Sequence, residues 1–235
     1  MSETLPAQRT GGAPARVAVA SDATYEFSQS LAMLAAPTGA TAESIRALRT
    51  HIVAQHIDYG RRALAVCAPN AGVGCTFTTI NLAVALSQIG LKTLVIDANL
   101  RAPSFETFIK PSRHGKGLAQ CLDAAEDNWL DCIDSDVMAD LSVMFAGETV
   151  VDAQALLAKY RFETLVDFCL RNFDVTLIDT PPANSCADAR LISKVVRYAL
   201  VAARKDRTFV DDVKTLIGQL ESDDVKVIGT VFNQA

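Results

Sequence analysis

Three short stretches of this chain carry side chains that could hold a phosphorylated ligand. "NAGVGCTFTT", residues 70–79, sets Gly72, Gly74 and Thr76 between an apolar run and a helical one. Glycines there let backbone N–H groups turn inward, the following helix points its positive end at an anion, and a Ser/Thr hydroxyl can hold Mg²⁺. The phosphate-loop pattern G-x-x-x-x-G-K-[ST] places lysine before that hydroxyl, and Cys75 stands there instead. "DANLRAP" opens on Asp97 and "DTPPANSCAD" on Asp179, each closing an apolar run. A carboxylate at a strand end beside a phosphate loop is placed to hold a divalent ion or its water. The competing reading is a ligand-free glycine turn, with each Asp a helix cap or turn residue. The coincidence of all three stretches favours a nucleotide-type pocket. A reactive-thiol reading of Cys75 ranks low, because no His is near it in sequence.

These stretches share one location only if the apolar runs belong to one sheet. Residues 63–68, 93–98, 141–146, 175–180, 198–203 and 226–232 are continuous β-type runs, suited to strands buried on both faces. Helical patterns lie between or before them at 41–55, 76–89 (closed by Gly90), 115–124, 151–172, 187–196 and 208–221. The alternation predicts an α/β, three-layer fold: a mainly parallel central sheet with helices on both faces. In such sheets ligands bind beyond the carboxyl ends of the strands, where the three polar stretches fall. In the first helix Thr41 is expected as the cap, with Ile45, Leu48, Ile52 and Val53 on one face. Residues 1–37, rich in small and turn-forming residues, read as a flexible tail in which "ATYEFSQSLAMLAA" orders on contact, and 38–235 as one nucleotide-binding domain.

Composition narrows the classes. The chain has 235 residues, 50% hydrophobic and 21% charged, which suits a packed core. A net charge of −5 argues against general affinity for nucleic acid or anionic lipid. Six Cys without C-x-x-C spacing read as reduced thiols rather than a disulfide scaffold or zinc site. No apolar run approaches the roughly 20 residues that span a bilayer, and "MSETLPAQRT" has no signal layout. Direct membrane insertion is not expected, so work at a membrane requires a partner.

Beyond the loop, "NAGVGCTFTTINLAVALSQIGLKTLVIDANLRAP", "HGKGLAQCLDA", "LSVMFAG", "FDVTLIDTPPANSCADARLIS" and "VKVIGTVFNQ" follow in order. Together they resemble the cytoplasmic domain of bacterial tyrosine autokinases, the BY-kinases of exopolysaccharide and capsule assembly, over residues 38–235. "VIDANLRAP" and "LIDTPP" are similar to that family's modified Walker motifs, and "ESIRALR" matches its E-x-x-R-x-x-R element. The resemblance implies a P-loop fold with a deviant Walker loop, and ATP or ADP with Mg²⁺ as cofactors. It places Gly72, Val73, Gly74, Cys75, Thr76, Phe77 and Asn233 at the nucleotide, and Thr76, Asp97 and Asp179 at the metal. Asp97 and Asp179 are its catalytic residues, and Glu43, Arg46 and Arg49 its contacts between subunits of a homo-oligomer. Without the resemblance those last three read as a solvated helix face with a weak ion pair.

The departures bear on activity. The loop lysine is Cys75, the second Asp of the family's D-x-D is Asn99, and the C-terminal tyrosine cluster is missing, the tyrosines being Tyr25, Tyr59, Tyr160 and Tyr198. A charged hydrogen bond contributes about 1.5–3 kcal/mol, so its loss weakens ATP binding roughly 10- to 150-fold. Phosphoryl transfer loses about 10³ or more without a cation at the transferred group, and Asn99 cannot accept a proton. Catalysis is therefore expected to suffer more than binding. Arg101, Lys116, Arg204 and Lys205 are candidate replacement cations, each also readable as a surface charge.

The resemblance implies a cytoplasmic protein held at the inner face of the cell membrane by a polysaccharide co-polymerase, whose cytoplasmic tail completes the nucleotide site. Its kinase activity is expected to be weak or lost. One alternative is a positioning ATPase of the MinD/ParA type, although the early loop lysine of those proteins is Asn70 here. The other is a nucleotide-free structural scaffold.

Overall fold

The computed structural model describes residues 23–125 and 128–234. In chain order the strands are β1 (Tyr25–Phe27), β2 (Ala63–Cys67), β3 (Thr93–Asp97), β4 (Ile109–Pro111), β5 (Asp134–Met138), β6 (Leu141–Met144), β7 (Val175–Asp179), β8 (Tyr198–Arg204) and β9 (Lys226–Asn233). The helices are α1 (Ala32–Ala35), α2 (Ala40–Gln55), α3 (Cys75–Ser87), α4 (Leu118–Asp123), α5 (Ala153–Leu157), α6 (Tyr160–Asn172), α7 (Asp188–Val196) and α8 (Val210–Ser222). Seven strands form one sheet in the order β5-β6-β3-β7-β2-β8-β9, parallel except where β5 runs against β6.

Strand periodicity sorts the core into two layers. Leu64 and Val66 of β2 pack with Val95, Leu177 and the apolar faces of α1, α2 and α3. Ala63, Ala65 and Cys67 turn the other way, to Leu94, Ile96, Ile178 and the helices α4 to α8. From Thr78 to Ser87 every residue of α3 is buried, which explains why its sequence is apolar all round rather than striped. The three-layer α/β arrangement anticipated from the runs is thus the observed one.

Several local expectations differ. Thr41 lies inside α2, whose N-cap is Gly39, with no side-chain cap bond. The single helix expected over 151–172 is two: Asp152 caps α5 by accepting from the Ala155 amide at 2.9 Å, and Lys159 is extended before α6. Strand β5 was not anticipated because "DSDVM" carries no apolar run, and it is an edge strand with mostly half-buried side chains. The tail boundary also shifts. Residues 25–27 pair with β4, and Leu31 and Met33 are buried against the α2–α3 layer. The rest of the expected tail, residues 1–22, lies outside the described residues.

This packing of the 24–36 stretch has a direct check. Leu31 is fully buried, so Leu31→Ala is expected to lower stability by about 2–4 kcal/mol in urea denaturation. A change below about 0.5 kcal/mol, the scale of a surface substitution, would show that the stretch does not pack.

Candidate nucleotide-binding site

Sheet register builds the site. Asp97 of β3 lies opposite Asp179 of β7, and Val66 of β2 lies opposite Asp179 on its other side. Asp97 continues the face of Val95, and Asp179 that of Leu177, so both carboxylates emerge on the α3 side. The connections diverge here: β2 leads through α3 to β3 beyond β7, whereas β7 leads through α7 to β8 beyond β2. That is the switch point where open α/β sheets bind ligands.

The loop between β2 and α3 presents its backbone. Gly72 and Gly74 have φ of 72° and 85°, in the left-handed region that glycine tolerates. A Cβ on Gly74 would also sit 2.8 Å from Asn233 Nδ2, so a larger residue here would displace the Asn233 side chain. The N-cap of α3 is Gly74, with no side-chain cap. Among the described residues the amides of Gly72, Val73, Gly74, Cys75, Thr76 and Phe77 donate to no acceptor, and the first amide of α3 to do so is that of Thr78, to Gly74 O at 2.9 Å. A run of unbonded N–H groups at the positive end of a buried helix fits an anion.

Beside it the carboxylates are held by hydroxyls and amides. Thr76 Oγ1 donates to Asp179 Oδ2 at 2.7 Å, Thr79 Oγ1 to Asp179 Oδ1 at 2.9 Å, and Ser104 Oγ to Thr76 Oγ1 at 3.2 Å. Asp97 accepts from the Asn99 amide at 3.1 Å and from those of Ser104 and Phe105 at 3.0 and 3.1 Å. Both acids are buried. Burial raises Asp97 to about 6, against its amide donors. Burial, joined by the charge of Asp97, raises Asp179 to about 7. Thr76 with Asp179 is a hydroxyl–carboxylate pair of the kind that holds Mg²⁺, directly or through water. The residues present therefore fit a magnesium nucleotide.

Each expected site residue can now be placed. Gly72 to Phe77, Asp97, Asp179 and Asn233 converge: Asn233 Nδ2 donates to Val73 O at 2.8 Å and to Gly74 O at 3.4 Å, tying the end of β9 to the loop. Cys75 turns its thiol inward, donating to Val66 O at 3.3 Å and packing with Ala68, Val73 and Ala202. Burial, followed by the charge of Asp179, pushes that thiol well above its usual value, so it stays neutral. Asn99 accepts from the Ala102 amide at 3.2 Å, which makes it a turn former. Glu43, Arg46 and Arg49 lie apart on α2. Arg46 pairs with Glu43 and donates to Pro37 O, while Arg49 donates to Ala85 O of α3 at 3.3 Å.

The four candidate cations separate. Arg101 is locked to the buried Asp188 by bonds of 2.8 and 3.2 Å, and Lys116 lines a different cavity with Gln120 and Cys132. Lys205 is exposed, with its amide on Asn233 O, and Arg204 Nη1 donates to Gly72 O at 3.0 Å. Two residues escaped sequence reasoning: Thr79, which supplies the second hydroxyl on Asp179, and Arg207, whose guanidinium lies beside Gly72. The spacing of Thr76 and Thr79, i and i+3 on one helix face, was the available signal for the first. Nothing local marked the second.

The chain is similar to several known proteins. Residues 61–208 match the family described as an AAA domain. CapB of Staphylococcus aureus is 27% identical over 84% of this chain and 86% of its own length. The tyrosine-protein kinase CpsD of Streptococcus agalactiae is 31% identical over 83% of each. The tyrosine-protein kinase Wzc of Salmonella typhi is 27% identical over 89% of this chain, which spans 29% of Wzc. The BceF tyrosine kinase domain superposes with a TM-score of 0.77 at 27% identity, covering 87% of this chain and 81% of that one. MinD of Pyrococcus horikoshii, solved with Mg-ADP, shares the fold at a TM-score of 0.61 and 17% identity, over 73% of this chain and 69% of its own. With its lysine-free loop, the chain belongs to the AAA-domain family of P-loop proteins, among the bacterial tyrosine-protein kinase domains known as BY-kinases.

Proposed function

We propose that this chain binds a magnesium nucleotide, ATP or ADP, and acts as a BY-kinase-type component of polysaccharide polymerisation, chain-length control or export. In this reading its phosphotransfer is weak or lost. The observation that carries the proposal is the unbonded amide run of Gly72 to Phe77, beside the Thr76–Asp179 pair. Bound magnesium supplies positive charge to the phosphates and to the group in transfer. The loop amides grip the phosphates, Thr76 and Asp179 hold the metal with Asp97 alongside, and Asn233 fixes the loop.

The same geometry separates binding from transfer. Binding needs amides, a hydroxyl and a carboxylate, and all are in place. Transfer needs a cation at the γ-phosphate and a free proton acceptor for the tyrosine hydroxyl. Cys75 is neutral and turned inward, and Asn99 is spent on its own turn. Asp97 already accepts three amides, out of about four lone-pair sites on a carboxylate. The family membership supports a cytoplasmic setting, with a membrane co-polymerase tail as activator and Glu43, Arg46 and Arg49 at a contact between copies of the chain. No helix of the described residues is long and apolar enough to cross a membrane.

Calorimetry tests the reading. Mg-ADP is expected to bind the wild type saturably, and Thr76→Ala or Asp179→Asn to weaken it about 10-fold or more. No saturable heat with millimolar Mg-ADP would falsify the proposal. Cys75→Lys is expected to tighten Mg-ATP roughly 10-fold and to raise tyrosine autophosphorylation, measured with anti-phosphotyrosine antibody. Strong wild-type labelling would refute the loss of transfer.

The buried acids set the pH dependence. With Asp97 raised to about 6 and Asp179 to about 7, the ligand-free fold holds these protons more tightly than the unfolded chain does. Their contribution to stability is full below about pH 4, the unfolded value, and is lost as pH rises through 6 to 7. Asp179→Asn removes the larger part of that loss, so the ligand-free variant is expected to gain on the order of 2–4 kcal/mol over wild type at pH 8 and almost nothing at pH 4. Metal binding has the opposite sign, because only the carboxylate holds Mg²⁺, so Mg-ADP affinity rises from pH 6 to pH 8. Parallel melting curves for the two proteins at pH 8 would contradict the assignment.

A further inference from the structure

The loop has lost its lysine but keeps positive charge at its rim. Residues 204–208, from the last residue of β8 into the turn before α8, close on themselves: the Arg204 amide donates to Thr208 Oγ1 at 3.0 Å, and the Thr208 amide to Arg204 O at 3.0 Å. This compact turn is fastened to the phosphate loop. Arg204 Nη1 bonds Gly72 O, and the Lys205 amide donates at 2.9 Å to Asn233 O, whose own side chain bonds Val73 O. The fastening holds Arg207 over Gly72, where a Cβ would lie 3.9 Å from the guanidinium Nη1.

Arg207 differs from other arginines near the sheet. Arg101 and Arg190 are each committed to a carboxylate by two bonds, and Arg204 to the loop carbonyl. For Arg207 no side-chain hydrogen bond or ion pair exists among the described residues, and it is exposed. The acidic residue touching this loop, Asp212, is engaged by Asn70 Nδ2 at 2.9 Å. An uncommitted guanidinium thus stands beside Gly72, where the run of uncommitted amides begins. A planar guanidinium forks onto phosphate oxygens with two parallel bonds, and it keeps its charge at any physiological pH.

We propose that Arg207 supplies, from the β8–α8 turn, binding charge in place of the lysine missing at position 75, by pairing with the phosphates of a bound nucleoside diphosphate, while transfer still lacks the proton acceptor that Asn99 cannot be. This rests on the nucleotide reading of the site. The replacement comes from a different strand end, the turn that follows β8, rather than from α3. Arg204 acts as a positioning residue, holding the turn that carries Arg207.

The test is calorimetry with Mg-ADP and Mg-pyrophosphate on wild type, Arg207→Gln, Cys75→Lys and the double variant. Arg207 is exposed, so its replacement leaves the core intact. Arg207→Gln is expected to weaken both ligands about 10-fold at low salt, and Cys75→Lys to restore more affinity in that background than it adds to wild type. Affinity within twofold of wild type overturns the inference while leaving the nucleotide site standing. Weakened ADP with unchanged pyrophosphate overturns it too, since Arg207 would then touch the base or sugar. Failure of the wild type to bind Mg-ADP removes the site and the inference together.

Discussion

The structure depends on the in-register pairing of β2, β7 and β3, which sets Val66, Asp179 and Asp97 in one row on the α3 side of the sheet. A slip of one residue in β7 would turn Asp179 to the opposite face and Ile178 toward α3. The buried rows Val175–Leu177 and Val95 oppose such a slip, because their apolar surface would leave its layer. Apolar burial thus fixes where two acids stand, although the acids themselves gain nothing from burial. Their cost is met locally, by the hydroxyls of Thr76 and Thr79 on one and three amides on the other.

That division between a rigid sheet and a polar rim shapes the loop. Its carbonyls are held from outside: Gly72 O by Arg204, and Val73 O and Gly74 O by Asn233. Its amides are left without partners. With carbonyls fastened and amides free, the loop is arranged in advance for an anion and needs little reorganisation to accept one. The inward thiol of Cys75 belongs to the same economy of space, filling a small apolar niche with Ala68, Val73 and Ala202.

Much of this was legible in the sequence because the strands that carry the site are continuous apolar runs ending in a polar residue. "TLVID" and "VTLID" announce both strand and site. Glycine spacing announced the loop, since glycine accepts the positive φ values at 72 and 74 without strain. What stayed hidden depends on partners distant in sequence. Arg207 is an ordinary surface arginine until β9 and β8 bring its turn against Gly72. "YEF" and "AMLA" read as a tail because each is too short for a period, and their burial comes from β4, α2 and α3. The break between α5 and α6 carries no glycine or proline, so periodicity ran through it.

Asn81 of α3 sits where the turn leading into α1 meets the helix that begins at the loop. Its Oδ1 accepts from the Met33 amide at 3.3 Å, while its Nδ2 donates to Phe77 O at 2.9 Å and Ser30 O at 3.4 Å. One buried carboxamide therefore joins the residues around α1 to the opening turn of α3. Loss of that side chain would unfasten both segments at once, the one leading into α2 and the first turn of α3.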